Sequence, residues 1–306
     1  AVEGANTIQV RQTDVAGNLS PAATLSFTLD TTIAAPTIAL DTDTGASATD
    51  GITKTGAYTV SGTETGAVVE YSTDGGSTWS TTAPVAVEGE NTIQVRQTDV
   101  AGNVSPAATL SFTLDTAIAA PTIALDADTG ASGTDGITKT GTYTVTGTES
   151  GALVEYSTDG VNWSTTAPTA VEGANTIQVR QTDVAGNVSA PATLSFTLDT
   201  AIAAPTIVLD TDTGASGTDG ITKTGTYTVT GTETGAVVEY STDGVNWSTT
   251  APTAVEGANT IQVRQTDVAG NLSPAATLSF TLDTTIAAPT IALDTDTGAS
   301  ATDGIT

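Results

Sequence analysis

Carboxylates are the side chains of this sequence whose number and spacing could do chemistry. Asp and Glu total 34 against seven Lys and Arg, the net charge is −27, and His, Cys and Met do not occur. That composition removes disulfides, thiolate and imidazole metal sites, cysteine nucleophiles and histidine acid–base catalysis. It leaves oxygen ligands, which suit hard cations. Nucleic acids and anionic membrane surfaces are repelled by so acidic a chain, and no run of 18 apolar residues marks a direct membrane insertion in this segment. The acidic residues fall into recurring sets. One is Asp30, Glu64 and Asp99, which returns as Asp115, Glu149, Asp183 and as Asp199, Glu233, Asp267. A second is Asp41, Asp43 and Asp50 in DTDTGASATDG, which returns as Asp126, Asp128, Asp135 and as Asp210, Asp212, Asp219.

The recurrence belongs to the whole chain. The phrase opening at Ala1 (AVEGANTIQVRQTDVAGN) comes back at Ala86, Ala170 and Ala254, at spacings of 85, 84 and 84 residues. The extra residue lies in one turn, where Asp74-Gly75-Gly76-Ser77-Thr78-Trp79 is shortened to Asp159-Gly160-Val161-Asn162-Trp163. Because the opening words recur internally, Ala1 to Asn6 reads as repeat sequence rather than a signal peptide, and the chain as an excerpt of a longer array. The expected divisions are 1–32 (the C-terminal part of a repeat), full repeats at 33–117, 118–201 and 202–285, and 286–306 (the N-terminal part of another).

Within a repeat the apolar period is two. Leu110, Phe112 and Leu114 alternate with Ser111 and Thr113, and Ile93 and Val95 alternate with Gln94, Arg96 and Thr98. Thr122 to Leu125, Thr142 to Thr146 and Leu153 to Ser157 are rich in Thr, Val and Tyr and are separated by Gly, Asp, Asn and Pro. About seven short strands in roughly 84 residues predict an all-β fold of tandem immunoglobulin-like antiparallel sandwiches. The connector Asp115-Thr116-Ala117-Ile118-Ala119-Ala120-Pro121 is short and stiffened by proline. Neighbouring repeats are therefore expected to stack end to end, each advancing a linear array by roughly 40 Å.

That topology sorts the carboxylates. The turn after the second strand (GTETGA) and the loop before the last strand (TDVAGN) share an end with the connector, which places Glu64 and Asp99 beside Asp30. Three converging carboxylates repel one another unless neutralised, and each repeat has one Lys. A divalent ion with about six to eight oxygen ligands answers that requirement, and calcium is the expected cofactor. The Asp41, Asp43, Asp50 set sits in the first long loop, at the trailing end. It is no EF-hand, since the twelfth position counted from Asp41 holds Ile52 rather than Glu. The rival reading of both sets is that Asp, Gly, Asn and Thr form turns and keep the surface solvated.

Other features weigh less. Trp79, Trp163 and Trp247 could stack on sugars, but a Trp amid strand residues more often packs on a sheet edge. Outward threonines from Thr138 to Thr148 could template ordered water, yet any solvated strand favours them. Asn18-Leu19-Ser20, Asn103-Val104-Ser105 and Asn162-Trp163-Ser164 match glycosylation acceptors but read equally as turns. Arg11, Arg96, Arg180 and Arg264, one per repeat word, read as members of ion pairs. Paired carboxylates suggest a glycosidase, but an active site copied three times without a pocket-forming insertion is not expected, and the chain is read as no enzyme.

The words LDTDTGAS, TDGIT, G-T-E-x-G-A, V-E-Y-S-T-D-G, V-R-Q-T-D-V-A-G-N and F-T-L-D-T resemble the bacterial immunoglobulin-like repeats of giant surface adhesins. The resemblance spans essentially the whole chain. It implies an extracellular, cell-surface or secreted location and a structural extender, like those of biofilm-associated and repeats-in-toxin adhesins, in which calcium between domains stiffens a stalk. It also implies that Asp30, Glu64 and Asp99 and their equivalents are junction ligands. The partners expected are neighbouring repeats of the same chain. The alternative is that the repeats are themselves adhesive, associating laterally with like chains into a fibre or matrix, or binding glycans multivalently.

Overall fold

The computed structural model describes residues 1–295 and Ser300, so 296–299 and 301–306 of the last expected fragment lie outside the described residues. By density of contacts the chain divides into two compact units, and the division runs through the middle repeat. Every regular element among the described residues is a strand, as the period-two patterning requires. Strands β1 (Gly4–Val10) and β2 (Ala23–Leu29) form a hairpin. The first full repeat follows as β3 (Thr37–Leu40), β4 (Ile52–Thr53), β5 (Tyr58–Ser61), β6 (Val68–Ser72), β7 (Gly89–Thr98) and β8 (Ala108–Leu114). The middle repeat repeats this order as β9 (Thr122–Leu125), β10 (Ile137–Thr138), β11 (Tyr143–Thr146), β12 (Leu153–Ser157), β13 (Gly173–Thr182) and β14 (Ala192–Leu198). The last full repeat does so as β15 (Thr206–Leu209), β16 (Ile221–Thr222), β17 (Tyr227–Thr230), β18 (Val237–Ser241), β19 (Gly257–Thr266) and β20 (Ala276–Leu282).

In the first repeat β3 and β5 make one sheet, and β4-β8-β7-β6 make the other. The last repeat has the same arrangement with β15–β17 and β16-β20-β19-β18. Pairings are antiparallel except the two-residue β4–β8, β10–β14 and β16–β20 ladders, which run parallel. Each repeat therefore has six named strands, and isolated bridges such as Tyr71–Ser80 supply the remaining extended segment. The two layers close on a small core. Ile93, Phe112 and Leu114 meet Ile38, Leu40 and Tyr58 from the facing sheet and Tyr71 from β6 of their own sheet. Ile261, Val263, Phe280 and Leu282 meet Leu209, Tyr227 and Val229 in the same way.

The inward face of β7 carries more than apolar packing. Its buried positions run Asn91, Ile93, Val95, Gln97, and the next inward residue is Asp99. Hydrophobic burial occupies the middle, and a polar residue terminates each end. Asn91 accepts the Val87 N–H (2.9 Å) and donates to the carbonyls of Val87 and Gly89, closing the preceding loop. Gln97 is 1% exposed. Its Oε1 accepts the Glu64 N–H (2.8 Å), and its Nε2 donates to Ala34 O (2.8 Å) and Gly62 O (3.3 Å). The amide thus ties the connector to the end of β5 and the turn that follows it. Gln181 and Gln265 make the same three bonds.

On the outer face Glu70 lies directly across from Arg96. The Arg96 Nε donates to Glu70 Oε2 at 2.9 Å, and the guanidinium stacks 4.1 Å from the Trp79 ring. Arg180 with Glu155 and Trp163, and Arg264 with Glu239 and Trp247, repeat the motif. Arg96, Arg180 and Arg264 are thus members of ion pairs within a repeat, whereas Arg11 is in none among the described residues, and each tryptophan has a ring face covered by one of the three. Cation–π stacking adds to a half-exposed ion pair that would contribute little alone.

Replacing Gln97 by Leu keeps the bulk but leaves one N–H and two carbonyls without their partner. These groups belong to exposed residues that water can reach in part, so Gln97→Leu is expected to destabilise its repeat by about 1–3 kcal/mol. Urea denaturation should then show a separate, earlier transition for that repeat.

Candidate metal centre

Asp30 lies one residue past β2, Glu64 in the turn after β5, and Asp99 one residue past β7. The fold holds all three from the backbone. The Glu64 N–H is fixed by Gln97. Asp99 closes its own loop, with Oδ1 accepting the Asn103 N–H and Oδ2 accepting Asn103 Nδ2, both at 2.8 Å. The same Asn103 amide donates to Asp30 O at 3.0 Å, fastening the loop to the connector. Asn187 bonds Asp115 and Asp183 in this way, and Asn271 bonds Asp199 and Asp267.

Carboxylate oxygens of Asp30, Glu64 and Asp99 lie within 4.8 Å of one another, as do those of Asp199, Glu233 and Asp267. In each set the first residue is partly buried, the second exposed and the third buried. Asp115, Glu149 and Asp183 do not meet that spacing among the described residues. The ion pairs among the described residues are the three Arg–Glu pairs of the outer sheet face, so no Lys or Arg neutralises these carboxylates. An all-oxygen set carrying uncompensated negative charge can hold a hard cation. Hydrogen bonds from the Asn103 side chain, and from backbone N–H groups of its loop, hold the Asp99 carboxyl below its ordinary value, against burial that raises it. The group is therefore kept as the anion, the form a cation requires.

A profile described as the bacterial Ig-like domain matches residues 32–116, 117–200 and 201–284. The chain belongs to the bacterial Ig-like domain family. Among solved structures, fibronectin(III)-like modules of Clostridium thermocellum CbhA are 18% identical, covering 53% of this chain and 94% of theirs, with a TM-score of 0.28. A structure concerned with host cell surface retention of a 1.5-MDa bacterial ice-binding adhesin is 20% identical, covering 80% of this chain and 96% of that one, with a TM-score of 0.30. The BSP domain of a biofilm associated protein is 14% identical, covering 66% and 44%, with a TM-score of 0.21. No curated protein sequence matches the chain.

The trailing loops of the Ig-like repeats use their carboxylates differently. Asp41 Oδ1 accepts the Thr59 hydroxyl (2.6 Å), and Asp50 Oδ1 accepts the Ile52 N–H (3.0 Å), as turn-forming residues do. Asp210 and Asp219 bond in the same way, and Asp135 Oδ1 accepts the Ile137 N–H. Asp43 accepts the Gly51 N–H through Oδ2, while its Oδ1 is buried without a hydrogen-bond partner; Asp128 and Asp212 repeat this. A buried lone carboxylate oxygen is a costly group, and a cation or water would satisfy it. Among the described residues, these loop aspartates form no group of three within ligand spacing.

Sequence reasoning missed the residues that position the junction carboxylates, namely Gln97 and Asn103 with their equivalents. The signal was present, because Gln97 continues the inward alternation of Ile93 and Val95. It also missed Glu3, Glu88, Glu172 and Glu256, whose carboxylates accept the N–H and hydroxyl of Thr31, Thr116, Thr200 and Thr284 at the start of each connector.

The same loop chemistry sets a pH dependence. Asp74, Asp159 and Asp243 are held far below the ordinary value of 3.8 by hydrogen bonds from Thr78, Asn162 and Asn246, respectively, and Asp14 and Asp99 are lowered by Asn18 and Asn103. Folded values below the unfolded one contribute stability above about pH 4 that is lost as the pH falls through the folded values. Melting temperatures in chelator should be flat from pH 7 to about 4 and drop below it, and Asp74→Asn should weaken that drop.

Proposed function

We propose that this array is a structural extender of a large bacterial surface or secreted adhesin, working outside the cell, with calcium bound at its domain junctions, and that it supports cell adhesion or biofilm formation. The observation that carries the reading is the pair of carboxylate sets drawn within 4.8 Å with no basic partner, each on a loop fastened to the connector between repeats. Membership in the bacterial Ig-like family and near-identical tandem units support it. Identical units suit a part whose length matters more than the surface of any one repeat. We extend the ligand assignment to Asp115, Glu149 and Asp183, which share the loop chemistry, and place a secondary position at the trailing loops around Asp43, Asp128 and Asp212 with their neighbouring aspartates.

Bound calcium supplies the positive charge the junction lacks. At a dissociation constant of roughly 10⁻⁴ M and free calcium near 10⁻² M it would contribute about 2.7 kcal/mol per site. That is a large fraction of the stability of a small domain without disulfides, about 5–15 kcal/mol. The chain's own residues hold the geometry: Gln265 fixes the Glu233 backbone, Asn271 fixes Asp267 and the Asp199 carbonyl, and the connector is drawn in with them.

Small-angle scattering and thermal melting in millimolar calcium and in excess chelator test the proposal. Calcium is expected to lengthen the particle and raise the melting temperature by several degrees, and Asp199→Asn with Asp267→Asn to remove the part due to that junction. Identical curves with and without calcium would overturn it. Sedimentation at rising concentration addresses the adhesive alternative: a monomer supports the extender, and concentration-dependent assembly supports a fibre or matrix built by the repeats themselves.

A further inference from the structure

Each full repeat has one lysine, and in a chain of net charge −27 none of the three forms an ion pair with a carboxylate among the described residues. Lys54 Nζ donates to Gly186 O at 2.8 Å, and Lys139 Nζ to Gly270 O at 2.9 Å. Both acceptors lie in the D-V-A-G-N loop of the following repeat. Beside the lysine, Thr44 Oγ1 donates to Ala185 O and Thr129 Oγ1 to Ala269 O, each at 2.7 Å. The threonines are set up from within their own repeat. Thr44 Oγ1 also accepts the Lys54 N–H at 2.8 Å and lies 3.1 Å from Thr53 Oγ1, and Thr53 is fully buried.

The backbones meet directly here. Gly45 has φ +99°, and a Cβ on it would fall 1.9 Å from Val184 O; Gly130 has φ +102°, with Val268 O at the same distance. Only glycine fits such an approach. The docked word is also the buried one. Ala185 and Ala269 are 0% exposed, whereas Ala16 and Ala101, in the same word but without a trailing loop against them, are exposed. The last full repeat supplies a comparison: Gly214 has φ +110° and, among the described residues, nothing within 4 Å of a Cβ.

We propose that the trailing loop of each repeat (Thr-Gly-Ala-Ser with the following Thr-Lys) is a socket for the Val-Ala-Gly turn of the next repeat, and that this docking fixes the joint without a cation. The partner is defined by its chemistry: a small-residue turn presenting two carbonyls to a hydroxyl and an ammonium, closed by its own Asp–Asn pair. Socket and plug are the same in every repeat, so any repeat can follow any other. The carboxylate set and the docked turn occupy the same five-residue loop, with Asp183 at its start and Ala185 and Gly186 in the contact, so a cation at the carboxylates would order a loop that the socket already holds.

The whole chain is the test object. It has no cysteine, so Ser77→Cys with Val161→Cys takes nitroxide labels on exposed turns of the first and middle repeats, and double electron–electron resonance reads the spread of their distance. In chelator the labelled parent is expected to give a narrow distribution. Gly45→Ala should at least double its width and Lys54→Met should also broaden it. Gly214→Ala, with the same backbone strain but no apposed chain, should leave it unchanged. Lys54→Met guards against local misfolding by Gly45→Ala, since it touches no strained position. The proposal is overturned if both variants keep the parent's width in chelator, or if the parent in chelator is already as broad as Gly45→Ala, which assigns the joint to the cation alone. Failure of the calcium reading would appear separately, as a melting temperature of the parent that calcium does not change.

Discussion

The buried amide of Gln97 and its equivalents is the constraint on which the leading end of each repeat depends. A neutral amide placed at 0–1% exposure must have its donors and acceptor met. Here they are met by the connector, the end of β5 and the turn bearing Glu64. No carboxylate could do this at comparable cost, because a buried charge needs a counter-charge and the chain has few cations. The neutral residue takes the interior position; of the charged ones beside it Asp30 is partly buried, Glu64 is exposed, and the buried Asp99 is met by the Asn103 side chain and backbone N–H.

From that hub the two ends of a repeat follow different rules. The leading end collects acidic groups and spends side-chain amides on holding them: Asn103 clasps both oxygens of Asp99 while reaching the Asp30 carbonyl. The trailing end uses hydroxyls and a lysine on backbone carbonyls. Negative charge is thus concentrated on one side of the D-V-A-G-N loop and neutral backbone contact on the other. Neither end draws on the core, which is small and confined between the sheets. A sandwich of this size leaves its termini to be ordered by polar bonds, and those of the leading end recur in all three full repeats.

The fold was legible because alternation of apolar residues is a local property of the chain. Ile93, Val95, Phe112 and Leu114 are buried as their spacing required. The parallel β4–β8 ladder was not legible, since a two-residue strand carries too little pattern to declare its partner. Arg96 was readable as an ion-pair member from its charge and neighbours, whereas its stacking on Trp79 depends on a turn folding back across β7. The grouping of Asp30, Glu64 and Asp99 was readable from loop order. The Asp41, Asp43 and Asp50 loop looked equivalent in composition, yet its outer aspartates bind their own turn and only Asp43 keeps a buried oxygen free.

The sequence by itself determined the repeat, the strands and the acidic, oxygen-only chemistry, because period, composition and turn residues act over a few neighbours along the chain. Tertiary structure alone decided that Gln97 is the hub, that the lysine serves a carbonyl 132 residues away rather than a carboxylate, and that Gly45 faces another backbone. Those outcomes rest on distances between segments far apart in sequence, and a one-dimensional pattern holds no such distances.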